Sequence, residues 1–350
     1  MKEFLPEWTP CEGVLMALPN ENTDWEYILD EAIAQYNRLI SAFTNEGVHV
    51  VLICDIAEKS ASLLKDCNPS YITFIEADFN DTWTRDYGPL TILKHGDLRG
   101  LDFGFNGWGL KFAAHKDNLV NRQLNEKMVF YKNNYRNESS FILEGGSIET
   151  DGEGTILTTT RCLCSPNRNG GLTKHEADTQ LRKRLGAQHI LFLDYGALAG
   201  DDTDSHIDTL ARLAPNNTIL FTGCRDVDDS HFEELLKMRA QLSMFRNAVG
   251  DPYNLIELPL PQAIFDENGE RLPATYANYL IYNDLIFMPT YNQTDNDMLA
   301  QQTLRIAFPN HKIVGIDCTT LIKQHGSLHC ATMQLPVGLF TPVIFDNQKL

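Results

Sequence analysis

Cys330 sits in the run Gln324-His325-Gly326-Ser327-Leu328-His329-Cys330-Ala331-Thr332-Met333-Gln334. Far upstream lie Asp204-Ser205-His206-Ile207-Asp208 and Trp83-Thr84-Arg85-Asp86. A thiol, an imidazole and several carboxylates in separated turn-like segments can converge into a nucleophilic site. The carboxylates decide what such a site is for. A cysteine enzyme of acyl transfer needs an oxyanion hole, whereas paired acids around a thiol suit a cationic carbon such as a guanidinium.

Each motif also has a plainer reading. In Asn80-Asp81-Thr82-Trp83-Thr84-Arg85-Asp86-Tyr87-Gly88-Pro89 the plain reading is an Asx turn with an Arg–Asp ion pair. The functional one makes Asp86 a carboxylate that grips a guanidinium through two parallel hydrogen bonds, with Trp83 as an aromatic wall for the flat cation. Glycines after Glu144 in Leu143-Glu144-Gly145-Gly146 mean a tight turn by default. They also permit close approach of a ligand, which would put Glu144 on a pocket wall.

The acidic run from Asp201 invites a calcium-loop reading that fails: counted from Asp202, the sixth position is Ile207 and the twelfth Leu213. Asp201 to Asp204 could instead cap a helix over 207–213. In strand geometry, His206 and Asp208 at spacing two would point the same way, one as acid/base and the other as cation binder. A metal reading of His325 and His329 needs a helix, which Gly326-Ser327 opposes. No HExxH or CxxC accompanies them, although Cys162-Leu163-Cys164 is a possible thiolate pair, so zinc is not expected. Attack of a thiol on a guanidinium needs neither a metal nor an organic cofactor. A cysteine beside a histidine is also often an inert buried thiol.

These segments must be positioned by regular elements. Short apolar runs bounded by turn residues read as buried strands at 13–18, 88–93, 154–158, 217–221 and 284–288. Their starts lie 75, 66, 63 and 67 residues apart, which suggests a pseudo-repetitive α/β assembly. Helical stretches are expected at 26–45, 173–185, 230–245 and 297–307. No linker or low-complexity tract divides the chain, so one domain over 1–350 is expected.

Lys plus Arg number 29 against 47 Asp plus Glu, a net charge of −18. Such a body repels nucleic acid and anionic membrane and favours a cationic small molecule. No signal pattern opens the sequence, no apolar run is long enough to span a membrane, and the eight cysteines are scattered. A cytoplasmic protein with free thiols is the expectation. A homo-oligomer is compatible with the sequence without being specified by it.

Taken in order, the motifs resemble the agmatine deiminase family, a branch of the guanidine-modifying superfamily that includes the peptidylarginine deiminases. The likeness begins at Glu7-Trp8-Thr9-Pro10-Cys11-Glu12-Gly13 and runs through Asp81-Thr82-Trp83-Thr84-Arg85-Asp86-Tyr87-Gly88-Pro89 and Leu143-Glu144-Gly145-Gly146. It continues through Ser165-Pro166-Asn167-Arg168-Asn169, Asp201-Asp202-Thr203-Asp204-Ser205-His206-Ile207-Asp208 and His329-Cys330. The resemblance implies a five-fold pseudosymmetric α/β propeller. It also implies Cys330 as nucleophile, His206 as general acid and base, Asp86 and Asp208 as guanidinium-binding carboxylates, and Glu144 as a further site acid. Two departures stand out: Ser205 replaces the glycine of the family's D-D-T-D-G-H, and the stretch before His329-Cys330 is not glycine-rich.

The implied reaction is hydrolysis of agmatine to N-carbamoylputrescine and ammonia. The same residues would serve arginine, peptidyl arginine or methylated arginine, and an amine in place of water would give an amidinotransferase. A non-catalytic binder of cationic amines would need the acids but not the thiol.

Overall fold

The apolar runs are strands because both of their faces are covered. In the computed structural model, which describes residues 2–346, they are Cys11–Ala17, Leu90–Lys94, Thr155–Thr159, Thr218–Thr222 and Leu285–Thr290. Thr155–Thr159 and Thr218–Thr222 are buried along their whole length, as a strand covered on both faces requires. Each run joins a small sheet of one plan: an antiparallel pair, and a further strand parallel to one member of that pair. The result is a mixed α/β fold.

The chain divides into two compact units. One comprises Thr9–Gly145 and His329–Leu350. Its first sheet places Cys11–Ala17 antiparallel to Met333–Pro336 and parallel to Val50–Cys54, which in turn pairs with Ile72–Glu76. The helix Leu29–Asn45 makes the crossover, burying Ala32, Tyr36, Leu39, Ile40 and Phe43 at spacings of three and four. Its second sheet runs Leu90–Lys94, Asp97–Gly104, Tyr135–Ile142.

The other unit comprises Met1–Trp8 and Gly146–Leu328 and repeats the plan three times. Its parallel strands are His189–Leu193, Asn254–Leu258 and Lys312–Asp317. They are reached through the helices Lys174–Leu185, Phe232–Met244 and Thr294–Ala307. Leu157, Leu193, Ile207, Leu210, Ile219, Phe221, Met238 and Leu242 form one buried cluster in this unit. Thr173 and Glu176 close a capping box at the start of Lys174–Leu185, so that helix begins where its sequence says it should.

Two expectations need correction. The stretch expected as helix over 26–45 divides into a 3-10 turn, Glu26–Ile28, and the α-helix proper. The stretch 207–213 is neither helix nor strand throughout: Ile207–Thr209 is a 3-10 turn and Ala211–Ala214 a strand. Its apolar residues at 207, 210, 211 and 213 fit both periods, and pairing with Thr218–Thr222 decides for the strand.

Candidate functional site

The strand Met333–Pro336 is preceded by a tight turn, and Cys330 stands in it. The Thr332 N–H donates to the His329 carbonyl at 3.0 Å, as does the Thr332 hydroxyl at 3.0 Å. Cys330 is buried. Its carbonyl accepts the Arg85 N–H at 3.1 Å, which ties the cysteine turn to the short helical turn Thr84–Tyr87. Thr84 strengthens the tie: its hydroxyl oxygen lies 2.9 Å from the Leu15 carbonyl and 3.1 Å from that of Ala331. The Arg85 guanidinium reaches the His329 carbonyl at 3.4 Å and the Gln334 side-chain oxygen. A buried cation here thus braces the strand that follows the thiol.

Asp86 lies on the same turn, 4% exposed. Its Oδ2 accepts the indole N–H of Trp108 at 2.9 Å. Trp108 sits at φ 55°, between Gly107 at φ 67° and Gly109 at φ 84°. Left-handed backbone is costly for a bulky residue and signals a held side chain. Phe105 and Phe112 hold the ring edge-on, with centroids at 5.0 and 5.6 Å. Sequence reasoning passed over Trp108, although a tryptophan between two glycines was a visible signal. Trp83 packs 5.8 Å from Trp25, whose indole N–H donates to the Thr82 hydroxyl at 2.9 Å.

Glu144 is buried at 1% exposure and joins the same group through its neighbour. A Cβ on Gly145 would stand 2.1 Å from the Arg85 carbonyl, so only glycine lets this backbone lie against the Thr84–Tyr87 turn. The glycine pair opens a 3-10 turn, Gly145–Ser147, in keeping with its default reading, and Gly145 admits another stretch of main chain. Cys330, Trp83, Asp86 and Glu144 are thus gathered on one turn and its neighbours.

His206 and Asp208 belong to the other unit. Both are buried, at 1% and 0% exposure. His206 has extended backbone and Asp208 stands in the Ile207–Thr209 turn, so the argument from strand spacing does not hold. The His206 N–H donates to Thr203 Oγ1 at 3.0 Å, and Asn278 donates to Asp208 Oδ2 at 3.2 Å. Asn278 is a second residue that sequence reasoning missed. Asp201 caps the turn rather than a helix, accepting the N–H groups of Thr203 at 3.1 Å and Ser205 at 2.6 Å.

The run Ser165-Pro166-Asn167-Arg168-Asn169 acquires a role here: the buried Arg168 pairs with Asp204 at 2.6 Å and donates to the Thr203 carbonyl at 2.9 Å. It braces the loop that carries His206. Ser205 occupies left-handed backbone at φ 68°, the conformation in which a glycine costs nothing. His325 terminates a 3-10 turn with φ 64°, its Nδ1–H donating to the Gly200 carbonyl at 2.7 Å, and it is not on a helix with His329.

Known proteins carry the same architecture. The model of the Porphyromonas-type peptidyl-arginine deiminase family matches residues 3–336. A relative from Legionella pneumophila (strain Paris), provisionally named agmatine deiminase, is 34% identical, with 95% of each chain covered. Another of that provisional name, from Shewanella sp. (strain MR-4), is 32% identical over 96% of this chain and 94% of its own. Among solved structures, a substrate-bound cysteine-to-serine variant of C. jejuni agmatine deiminase is 39% identical. It superposes with a TM-score of 0.89 over 97% of each chain. A provisionally named arginine deiminase from Porphyromonas gingivalis is 43% identical, with a TM-score of 0.92 over 97% of this chain and 100% of its own.

Proposed function

Because this chain belongs to the Porphyromonas-type peptidyl-arginine deiminase family, we propose that it hydrolyses agmatine to N-carbamoylputrescine and ammonia through a covalent intermediate on Cys330. Membership makes it a hydrolase acting on guanidino C–N bonds; the substrate and the residue roles are the proposal. One observation carries it. The Cys330 turn is bonded to the turn that holds Asp86, and Glu144 is packed against that turn through Gly145. The thiol, an acid suited to a guanidinium and a second buried acid are thereby grouped.

A guanidinium carbon is electron-rich and a poor electrophile. Asp86 and Asp208 hold it as a cation by accepting its N–H groups. The Cys330 thiolate attacks that carbon, and a C–S bond forms. His206 as imidazolium gives its proton to one nitrogen, the C–N bond breaks and ammonia leaves. A planar thiouronium remains on the sulfur. Water then attacks as neutral His206 takes one of its protons, and the C–S bond breaks with the thiolate restored. The remaining hydroxyl proton passes to solvent, where it makes the released ammonia ammonium, as the neutral ureido product leaves. Carboxylates beside a thiol raise its pKa, so the bound cation and the imidazolium supply the opposing positive charge. The five sheets of common plan support a five-fold pseudosymmetric propeller acting as one catalytic domain.

A second reading is favoured by the higher identity to the P. gingivalis protein: arginine or a peptidyl arginine in place of agmatine. Incubation of the purified protein with agmatine, arginine and a peptide containing arginine, assaying ammonia and ureido product, separates the two. Agmatine is expected to turn over fastest. A preference for arginine or the peptide establishes the second reading, and no turnover of any guanidine by folded protein refutes both.

A further inference from the structure

Seven residues, 77–83, separate the strand Ile72–Glu76 from the turn Thr84–Tyr87, and none belongs to a helix or strand. Trp83 and Asp86 nevertheless need fixed positions, and the buried N–H groups of the intervening chain need acceptors. The segment 116–123, thirty-odd residues downstream, provides them. Asp117 Oδ1 accepts the N–H of Asn80 at 2.6 Å and that of Asp81 at 3.1 Å. In return, Asn80 Oδ1 accepts the N–H of Lys116 at 2.7 Å and that of Asp117 at 3.4 Å. Gln123 adds a two-way pair with Asp78, accepting its N–H at 2.9 Å and donating to its carbonyl at 2.8 Å. Asn121 donates to the Tyr87 carbonyl at 2.8 Å, and the Tyr87 hydroxyl donates to the Asp81 carbonyl at 2.8 Å.

We infer that Asp117, clasped with Asn80, is a positioning residue for the proposed guanidine hydrolysis, setting the loop that places Trp83 and Asp86. The inference rests on the reaction proposed above and adds a residue to it. Asp117 is 1% exposed, and its second oxygen, Oδ2, is buried with no hydrogen-bond partner among the described residues. An ionised carboxylate would leave that oxygen uncompensated. Burial raises Asp117 to about 7, the nearby Asp24 adding to it while the Asn80 and Asp81 N–H groups oppose it. The clasp works through the Oδ1 acceptor, which is present in both protonation states of Asp117. Asp81, next in line, accepts the Thr82 N–H at 2.7 Å and hydrogen-bonds Trp83 through its side chain, which passes the constraint on to the aromatic wall.

Asp117→Ala removes the acceptor, Asp117→Asn keeps it, and Asn80→Ala opens the clasp from its other half. Kinetics on whichever guanidine the wild-type protein turns over, together with circular dichroism, read the effect. Asp117→Ala is expected to lose about 30-fold in kcat/KM, mostly as a raised KM because Asp86 is displaced, while Asp117→Asn stays within about 3-fold. Folded Asp117→Ala with normal kinetics overturns the inference. So does Asp117→Asn falling as far as Asp117→Ala, which would make charge the agent. If Asp117→Ala does not fold, Asn80→Ala decides: a raised KM supports the clasp and wild-type kinetics refute it.

Failure of wild-type protein to turn over any guanidine refutes the proposed function instead. Amide hydrogen exchange of a peptide covering 78–86 then judges the clasp by itself. Lost protection in Asp117→Ala is expected, and unchanged protection refutes it.

Discussion

Replacing Ser205 by glycine should make the protein more stable although the site lies beside His206. Ser205 holds φ 68°, and left-handed backbone costs an L-residue about 1–2 kcal/mol. Glycine removes that strain but loses about 0.5–1 kcal/mol through the greater freedom of the unfolded chain. The Ser205 side chain is buried, and its Oγ has no hydrogen-bond partner among the described residues. Leaving a hydroxyl so costs about 1–3 kcal/mol, while deleting one small buried group forfeits about 0.8 kcal/mol of packing. The balance is a gain of about 1–2 kcal/mol. The bonds that fix this turn use backbone atoms: the Ser205 N–H to Asp201 at 2.6 Å, and Thr159 Oγ1 to the Ser205 carbonyl at 2.7 Å. Both survive in Ser205→Gly, so kcat/KM should stay within about 3-fold of wild type. Urea denaturation and steady-state kinetics measure the two effects. A variant that unfolds at lower urea than wild type refutes the strain argument; greater stability with turnover collapsed refutes the idea that the hydroxyl is idle.

Trp108→Phe keeps an aromatic ring between Phe105 and Phe112 but deletes the N–H that Asp86 accepts. Losing a hydrogen bond to a charged group should cost about 1.5–3 kcal/mol, or about 10- to 100-fold in kcat/KM, and unchanged kinetics would contradict the role given to the indole. A pH effect follows from the buried acids. Burial chiefly raises Asp81 to about 8 and Asp117 to about 7, whereas an unfolded aspartate ionises near about 4. Between those values the folded chain binds more protons than the unfolded one. The stability these groups lend is whole below about 4, falls by up to about 1.4 kcal/mol per pH unit for each group, and is gone above about 8. Asp117→Asn removes one titrating group, so its urea midpoint should fall less steeply than that of wild type between pH 5 and 8. Parallel curves would show that Asp117 does not titrate there.

The strands were legible because covered faces make short apolar runs, and turn residues mark their ends. The run 207–213 was not, since its apolar spacing fits two periods and only its partner strand settles the matter. Cys330, His206, Asp86, Asp208 and Glu144 stood out by chemistry and by the order of their motifs. Their supports did not. Asn278, Asn80 and Asp117 reach their partners across 70 residues for Asn278 and Asp208, and 37 for Asn80 and Asp117, separations at which no local period carries information. Gly145 shows the limit differently: its glycine was visible, but the Arg85 carbonyl that requires it was not.

The central claim is that Cys330 becomes covalently bonded to the guanidinium carbon. Acid quenching during agmatine turnover, followed by intact-protein and peptide mass spectrometry, tests it most directly. The predicted result is a mass increase equal to agmatine less ammonia, carried by the peptide containing Cys330, and absent with turnover in Cys330→Ser. Full activity in Cys330→Ser, or an adduct on another cysteine, would contradict it.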